Sequence, residues 1–263
     1  MNEFFSIKDK VALITGATGY LGKSIAKGLA KSGALVYLNG RNEKKVNELI
    51  VELEKQDLKV KAAVFDVTNK DQIKSFFSNF EHKALDIIIN NAYSNISGSV
   101  ETAKSEDYAL SYEVTQISAH NIVQRALPYL RNAFKINGDA SVINIASMYG
   151  MVSPDLNIYD SKEASNPPFY GAAKAALIQW SKYAACEFAK EGIRFNSISP
   201  GPFPSTEIQK SNSHLISKII NKVPMHRIGQ PNELIGPVLF LASPSSSFVT
   251  GVNLAVDGGW TAW

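Results

Sequence analysis

Tyr170 and Lys174 carry the clearest sign of chemistry in this chain, because they stand four residues apart in the run PPFYGAAKAAL. On a helix this spacing places both side chains on one face, so the phenol and the ammonium point into the same space. A free tyrosine titrates near about 10, and a neighbouring cation lowers that pKa. We expect Tyr170 to exchange a proton with an alcohol or carbonyl, with the Ser147 hydroxyl holding the same oxygen. A surface tyrosine beside a solvated lysine is the alternative that the pair alone leaves open.

A glycine-rich turn near the N-terminus indicates what lies beside this pair. Residues 10–15 form an apolar run typical of a buried parallel strand, and GATGYLG follows, with glycines at 16, 19 and 22. A helical pattern then ends near Gly33, and a second strand is expected over 34–39. This order predicts a dinucleotide site, because glycines let the backbone approach a pyrophosphate and the helix N-terminus offers free N–H groups.

The end of the second strand bears on the choice of cofactor. An Asp or Glu there would bind the adenosine ribose 2′-hydroxyl and favour NAD. This chain has Asn39, Gly40 and Arg41 instead. Gly40 is expected to leave room, and Arg41 can pair with a 2′-phosphate. The sequence therefore favours NADP(H), with NAD(H) possible.

Strand-like and helical segments alternate along the 263 residues. This alternation predicts an α/β fold with a parallel sheet and helices on both faces. No linker or repeat marks a second domain, so one domain is expected over 1–263, with a substrate loop at 151–169 and a C-terminal segment at 200–230. The further strands are expected at 60–66, 85–90, 141–146, 193–199 and 252–256.

Composition argues against several classes of function. The net charge of +3 does not indicate that the protein binds nucleic acid. No apolar run approaches the roughly 20 residues of a membrane span, and residues 1–10 lack the order of a signal peptide. Cys186 is the single cysteine, which suits a reducing cytoplasm, and we expect it to be packed. The four histidines show no ligand spacing, so no metal site is predicted.

Eight short motifs stand in a characteristic order. They are TGATGYLG at 15–22, DV at 66–67, NNA at 90–92, Ser147, YGAAK at 170–174, NSISPG at 196–201, RIGQPNE at 227–233 and TGVNLAVDGG at 250–259. In this order they resemble the short-chain dehydrogenase/reductase family over nearly the whole chain. The resemblance implies a doubly wound Rossmann-type sheet of seven parallel strands and an NAD(P)-dependent interconversion of an alcohol and a carbonyl.

The same resemblance implies a role for each matching residue. Tyr170 would be the general acid in reduction and the general base in oxidation, Ser147 would bond the reacting oxygen, and Lys174 would hold the nicotinamide ribose. Asp66 has a structural alternative as a helix cap, and Asn90 as a tie between strand ends. The residues expected at the cofactor are Gly16, Thr18, Gly19, Tyr20, Leu21 and Gly22 at the pyrophosphate, Asp66 and Val67 at the adenine, Asn90, Asn91 and Ala92 after the fourth strand, and Lys174, Pro200, Gly201 and Ser205 or Thr206 at the nicotinamide.

Three features depart from the family pattern. Tyr20 stands where a glycine is frequent, a spacing more usual in the longer branch that acts on nucleotide sugars. Thr115 stands where the compact branch carries an asparagine, so we expect a modified proton relay to the lysine. Ser147 and Tyr170 are further apart than is usual, and the extra residues form a polar segment over 151–169.

This segment suits a hydroxyl-rich ligand better than an acyl chain, and loops on a rigid scaffold set specificity. It resembles relatives linked to bacterial surface-sugar and flagellin modification and to gluconate-type dehydrogenases. The alternative is that this loop only covers a contact between subunits. Tyr159 within it lacks a lysine four residues on, since Glu163 stands there.

We therefore expect a cytoplasmic oxidoreductase that interconverts a secondary alcohol and a ketone on a small molecule, a sugar or sugar derivative, with neither nucleic acid nor membrane as partner. By resemblance it forms a homotetramer or homodimer through helices 105–135 and 170–190 and the C-terminal segment. Two alternatives stay open: a 3-oxoacyl thioester reductase, and an inactive NAD(P)-binding sensor or scaffold.

Overall fold

Seven strands form one parallel sheet in the computed structural model, which describes residues 3–93 and 97–263. The N-terminal stretch examined for a targeting signal therefore lies partly outside the described residues. The strand order is β3-β2-β1-β4-β5-β6-β7, and all neighbouring strands are parallel. This confirms the predicted seven-stranded, doubly wound α/β fold. The strands are β1 Val11–Ile14, β2 Leu35–Gly40, β3 Val60–Val64, β4 Ile87–Asn90, β5 Ala140–Ile145, β6 Ile193–Pro200 and β7 Asn253–Val256.

Helices cover both faces of the sheet, and successive strand residues alternate between the two resulting cores. Ala12 and Ile14 of β1 lie in one core, whereas Leu13 lies in the other. No helix within the described ranges is long and apolar enough to cross a membrane. The helices are α1 Tyr20–Lys31, α2 Glu43–Glu54, α3 Lys70–Ser78, α4 Ser105–Tyr112, α5 Ser118–Asn137, α6 Pro168–Phe188, α7 Thr206–Ser211, α8 Ser213–Lys222 and α9 Ile235–Ala242.

The chain reverses its direction of strand addition between β1 and β4, which are neighbours in the sheet. In such sheets a crevice opens at the carboxyl ends of these two strands, where ligands bind. Thr15 joins the ends, because its Oγ1 accepts the backbone N–H groups of Asn91 and Ala92 at 2.9 and 3.0 Å. The Nδ2 of Asn91 donates back to the Thr15 carbonyl at 2.9 Å. Asn91 and Ala92 are thus held at the crevice.

The segment 151–167 between β5 and α6 is fastened to α8. Ile158 is buried with Ile219 and Val223, and Asp155 accepts a hydrogen bond from Lys222 Nζ at 2.5 Å. Cys186 corrects one prediction, because it is exposed on α6 rather than packed.

Candidate active site

Ser147, Tyr170 and Lys174 converge where β5 ends and α6 begins. Ser147 follows β5 and caps a short 3-10 turn, Met148–Gly150, by accepting the Tyr149 N–H at 3.1 Å. Lys174 Nζ donates to the Ile145 carbonyl at 2.6 Å and lies 5.7 Å from the centroid of the Tyr170 ring. The two side chains therefore share one helix face, as the four-residue spacing predicts.

Two glycines allow this approach. A Cβ on Gly171 would lie 2.6 Å from the Tyr149 carbonyl oxygen, and a Cβ on Gly150 would lie 2.9 Å from the backbone nitrogen of Ala175. The 3-10 turn after Ser147 is thus packed backbone to backbone against the first turns of α6. The sequence did not indicate this role for either glycine, although Gly171 directly follows Tyr170 in the motif.

The pKa values of the pair correct the expected electrostatics. Burial raises the pKa of Tyr170 to about 12, although a hydrogen bond from the Ser147 hydroxyl lowers it in part. Burial also lowers the pKa of Lys174 to about 7. We predicted a phenol made more acidic by a neighbouring ammonium, and this is wrong for the free protein. Desolvation disfavours the charged form of both groups, and it is the largest cause of both pKa shifts.

The glycine turn after β1 leads into a helix N-terminus whose geometry fits an anion. Gly16 has a φ of +61°, and a Cβ on Gly22 would lie 2.2 Å from the Gly16 carbonyl oxygen. Gly19 is the N-cap of α1; within the described residues no side chain caps this helix, and its first turn lacks an acidic residue. The N–H groups of Tyr20, Leu21 and Gly22 begin the helix and have no partner within it. These donors and the helix dipole fit a pyrophosphate.

Tyr20 and Thr18 extend this turn in two directions. The Tyr20 hydroxyl accepts a hydrogen bond from Gln209 of α7 at 3.5 Å. This contact connects the glycine turn with the C-terminal segment, which the sequence did not indicate. Thr18 lies on the side of β2, because a Cβ on Gly40 would lie 3.6 Å from its side chain.

At the end of β2 the structure agrees with the expectation for Arg41 and contradicts the expectation of open space at Gly40. Arg41 is exposed, and the carboxylate that would favour NAD is absent from this strand end in the described structure. Gly40 does not provide open space, however, since a Cβ there would lie 2.9 Å from Cγ2 of the buried Val46. Asn39 is structural, because its Nδ2 donates to carbonyl oxygens of 63 and 65 at 2.9 and 3.0 Å.

Asp66 and Val67 follow β3 at the same edge. The Oδ1 of Asp66 accepts from the N–H and the hydroxyl of Thr68, at 2.9 and 2.8 Å. Asn69, not Asp66, caps α3, so the helix-cap alternative for Asp66 is wrong. Val67 is buried in the core against Ile73, which leaves the Asp66 carboxylate as the polar group at this position.

Some residues expected near the nicotinamide are packed or hydrogen-bonded within the protein. Gly201 lies against the last strand, where a Cβ would be 2.5 Å from the Asp257 Cα, and Pro200 ends β6. We expected the Ser205 hydroxyl to be available to the nicotinamide. In the structure it instead caps α7 and donates to Glu207 at 2.9 Å. Asn90 connects strand ends, which is the structural alternative that we gave for it. Its Nδ2 donates to Asn144 Oδ1 at 2.8 Å and so joins β4 to β5.

Thr115 lies in a five-residue π-helical turn, Glu113–Ile117, between α4 and α5. It is buried, and this turn packs on α6. The observed hydrogen bond of Lys174 Nζ goes to Ile145 rather than to Thr115. The predicted relay therefore stays a prediction.

The fold and this crevice define a nicotinamide-dinucleotide oxidoreductase class, and comparison with known proteins agrees. A family model described as enoyl-(acyl carrier protein) reductase matches residues 16–261. A tropinone reductase homologue of Arabidopsis thaliana is 32% identical over 261 residues, which cover 98% of this chain and 91% of the relative. The 3-oxoacyl-[acyl-carrier-protein] reductase FabG of Thermotoga maritima is 31% identical over 255 residues, covering 96% of this chain and 98% of the relative.

Among solved structures, a gluconate 5-dehydrogenase of Burkholderia cenocepacia in complex with NADP and tartrate superposes with a TM-score of 0.87 at 28% identity. The match covers 99% of this chain and 98% of that structure. The protein belongs to the short-chain dehydrogenase/reductase family, as its motifs indicated.

Proposed function

We propose that this enzyme is an NADP(H)-preferring oxidoreductase that interconverts a secondary alcohol and a ketone on a hydroxyl-rich compound, a sugar or sugar derivative. The observation that carries the proposal is the convergence of Ser147, Tyr170 and Lys174 beside the crevice at the carboxyl ends of β1 and β4. The bound cofactor supplies or accepts the hydride. The protein's own task is then to position the substrate and to handle one proton.

Tyr170 is the proton donor in this proposal. With a pKa raised to about 12, its phenol is protonated at neutral pH and can donate to the oxygen of a ketone. Ser147 holds the same oxygen, and its hydrogen bond already favours the phenolate that donation leaves behind. Lys174, with a pKa lowered to about 7, is charged in part of the molecules at neutral pH and stands beside the ring. Reduction is therefore the direction for which the free site is poised.

The cofactor preference rests on Arg41. Its exposed guanidinium, between β2 and α2, is the group suited to a 2′-phosphate. The neighbouring gluconate 5-dehydrogenase structure holds NADP, which supports the same preference. The residues that would hold the dinucleotide are those of the glycine turn, Arg41, Asp66, Asn91 with Ala92, and Lys174 with Pro200 and Gly201.

A 3-oxoacyl thioester reductase is the second candidate, and the Thermotoga maritima relative supports it. The polar segment over the site favours the first candidate, because a thioester would require an apolar trough there.

We also propose a homodimer or homotetramer that uses α4 and α5, on which the apolar Leu110 and Phe134 are exposed at 45% and 39%.

The proposal is tested by following NADPH and NADH oxidation with hydroxylated ketones, keto acids and acetoacetyl-CoA. We expect hydroxylated ketones with NADPH to give the highest kcat/KM, and a higher value for the thioester would favour the second candidate. Tyr170→Phe should abolish turnover and retain NADPH binding, whereas Tyr183→Phe, an exposed tyrosine of the same helix, should behave as the parent. Retained turnover in Tyr170→Phe would remove this residue as the donor, and cofactor binding without turnover of any substrate would leave the inactive sensor.

The cofactor preference has its own variant. Arg41→Ala should lower kcat/KM for NADPH by about tenfold or more, the value of a charge-assisted hydrogen bond, and leave NADH unaffected. Arg125→Ala, an exposed arginine of α5, is the matched control. An unchanged ratio of the two cofactors in Arg41→Ala would contradict the preference.

A further inference from the structure

A pair of tyrosine hydroxyls lies beside the proposed site and has no role in the chemistry described above. Tyr149 stands two residues after Ser147, and Tyr159 belongs to the segment 151–167. Their hydroxyl oxygens are 2.9 Å apart. The Tyr170 phenol is near enough to raise the pKa of Tyr149, so the pair and the proposed proton donor share one neighbourhood.

The position of this pair is fixed from both sides. Tyr149 is held through its N–H on Ser147 and through its carbonyl against Gly171. Both tyrosine rings pack on a small apolar cluster that includes Met148 and Ile158. The hydroxyl pair therefore has a defined place relative to the first turn of α6.

The hydrogen-bonding capacity of the pair is incompletely used. Two hydroxyls carry two protons, and the bond between them uses one. The backbone N–H of Asn166 lies near enough to the Tyr159 oxygen to lower the pKa of this tyrosine, and among the described residues one O–H of the pair has no acceptor. The side-chain Oδ1 of Asn166 is buried and has no hydrogen-bond partner among the described residues. Burial raises the pKa of both tyrosines, so both stay protonated at neutral pH.

A donor and an acceptor without partners are what an alcohol requires, because a hydroxyl group both donates and accepts. Buried polar groups of this kind are rarely left unsatisfied. We propose that Tyr149, Tyr159 and Asn166 form a subsite for a second hydroxyl of the substrate, adjacent to the carbon that reacts at Tyr170. The substrate class is then a ketone with a neighbouring hydroxyl, or the corresponding vicinal diol. This inference rests on the proposed function and names the substrate feature that the same site selects.

The test compares 2-hydroxycyclohexanone with cyclohexanone, which differ only in the hydroxyl next to the carbonyl. With NADPH, the parent enzyme should prefer the hydroxylated ketone in kcat/KM by about tenfold or more, because the analogue without it leaves buried groups unpaired. In Tyr159→Phe and in Asn166→Leu, this preference should fall toward one. Tyr183→Phe, which keeps the subsite intact, should retain the preference of the parent.

The outcomes separate a subsite from a purely structural fastening. A loss of rate that is equal for the two ketones, with the preference unchanged, would overturn the proposal, and so would a parent enzyme without preference. Two variants are used because either could fail to fold, and the thermal midpoint of each identifies such a failure.

A binding measurement keeps this test apart from the test of the proposed function. In Tyr170→Phe loaded with NADPH, quenching of the cofactor fluorescence reports binding of each ketone without turnover. Tighter binding of the hydroxylated ketone, lost on adding Tyr159→Phe, supports the subsite whatever role Tyr170 has in catalysis. Equal affinity for the two ketones would overturn the subsite while leaving the alcohol–ketone chemistry intact.

Discussion

Lys174 is a buried cation whose replacement by methionine should separate its cost to the fold from its use in the site. Methionine keeps most of the length and volume of the lysine stem and removes the charge. Burial lowers the pKa of Lys174 from its ordinary 10.5 to about 7. Because this pKa is lower in the folded chain, the unfolded chain binds the extra proton between the two values. The lysine therefore destabilises the fold below its unfolded pKa, and stability rises with pH across this window.

The magnitude follows from that interval. At about 1.4 kcal/mol for each tenfold change, the burial of Lys174 lowers the free energy of unfolding by about 4 kcal/mol at neutral pH. Its replacement also leaves the Ile145 carbonyl without the donor now at 2.6 Å, which costs about 1–3 kcal/mol. We expect Lys174→Met to be more stable than the parent by about 1–3 kcal/mol at neutral pH, and to lose turnover.

Urea unfolding of the cofactor-free protein, at a fixed protomer concentration, gives the required free energies. The other titrating groups are common to both proteins, so the difference between variant and parent isolates Lys174. This difference should fall by about 2 kcal/mol between about pH 7 and about pH 9. A difference that is constant over this range would show that burial does not depress the lysine pKa, and our account of the free site would be wrong.

Two further predictions concern the glycine turn and the substrate segment. Gly22→Ala should destabilise the protein by about 2 kcal/mol or more and weaken NADPH binding, because its Cβ would lie 2.2 Å from the Gly16 carbonyl. Gly236→Ala, where a Cβ meets nothing within 4 Å, should be neutral or stabilising in denaturation, and an equal loss in both variants would contradict the steric argument. Breaking the Asp155–Lys222 ion pair with Lys222→Met should raise KM more than it lowers kcat in steady-state assays; an unchanged KM would show that the pair does not hold the segment over the site.

The fold was predictable because a parallel strand that is buried on both faces has a nearly continuous run of apolar residues in its sequence. The three isoleucines of β4 are of this kind, and every residue of β4 and β5 is buried, including the polar Asn90, Ser141 and Asn144. The side-by-side placement of Tyr170 and Lys174 was predictable for a similarly local reason, since helical periodicity alone sets it. Family resemblance then added the partners that no local pattern connects, such as Ser147 with α6.

The failures have a common physical cause, which is packing between segments that no local sequence pattern relates. The pKa of Tyr170 depends on how far the surrounding elements exclude water, and no spacing rule contains that quantity. Gly40 was interpreted as room for a phosphate, yet the close approach of Val46 explains its lack of a side chain. The contact between Tyr149 and Tyr159 depends on the path of an irregular segment, for which the sequence offers no periodicity.

The buried pair also bears on when the site becomes charged. In the free protein desolvation keeps Tyr170 neutral and Lys174 only partly protonated, so this pair carries little uncompensated charge. Burying full charges without partners would cost several kcal/mol, whereas a neutral phenol and a partly neutral amine avoid most of that cost. Charge can then form where a bound anionic cofactor and a substrate oxygen compensate it. The depressed lysine pKa and the elevated tyrosine pKa are thus the expected condition of a preorganised site before its ligands arrive, not a sign of an inactive one.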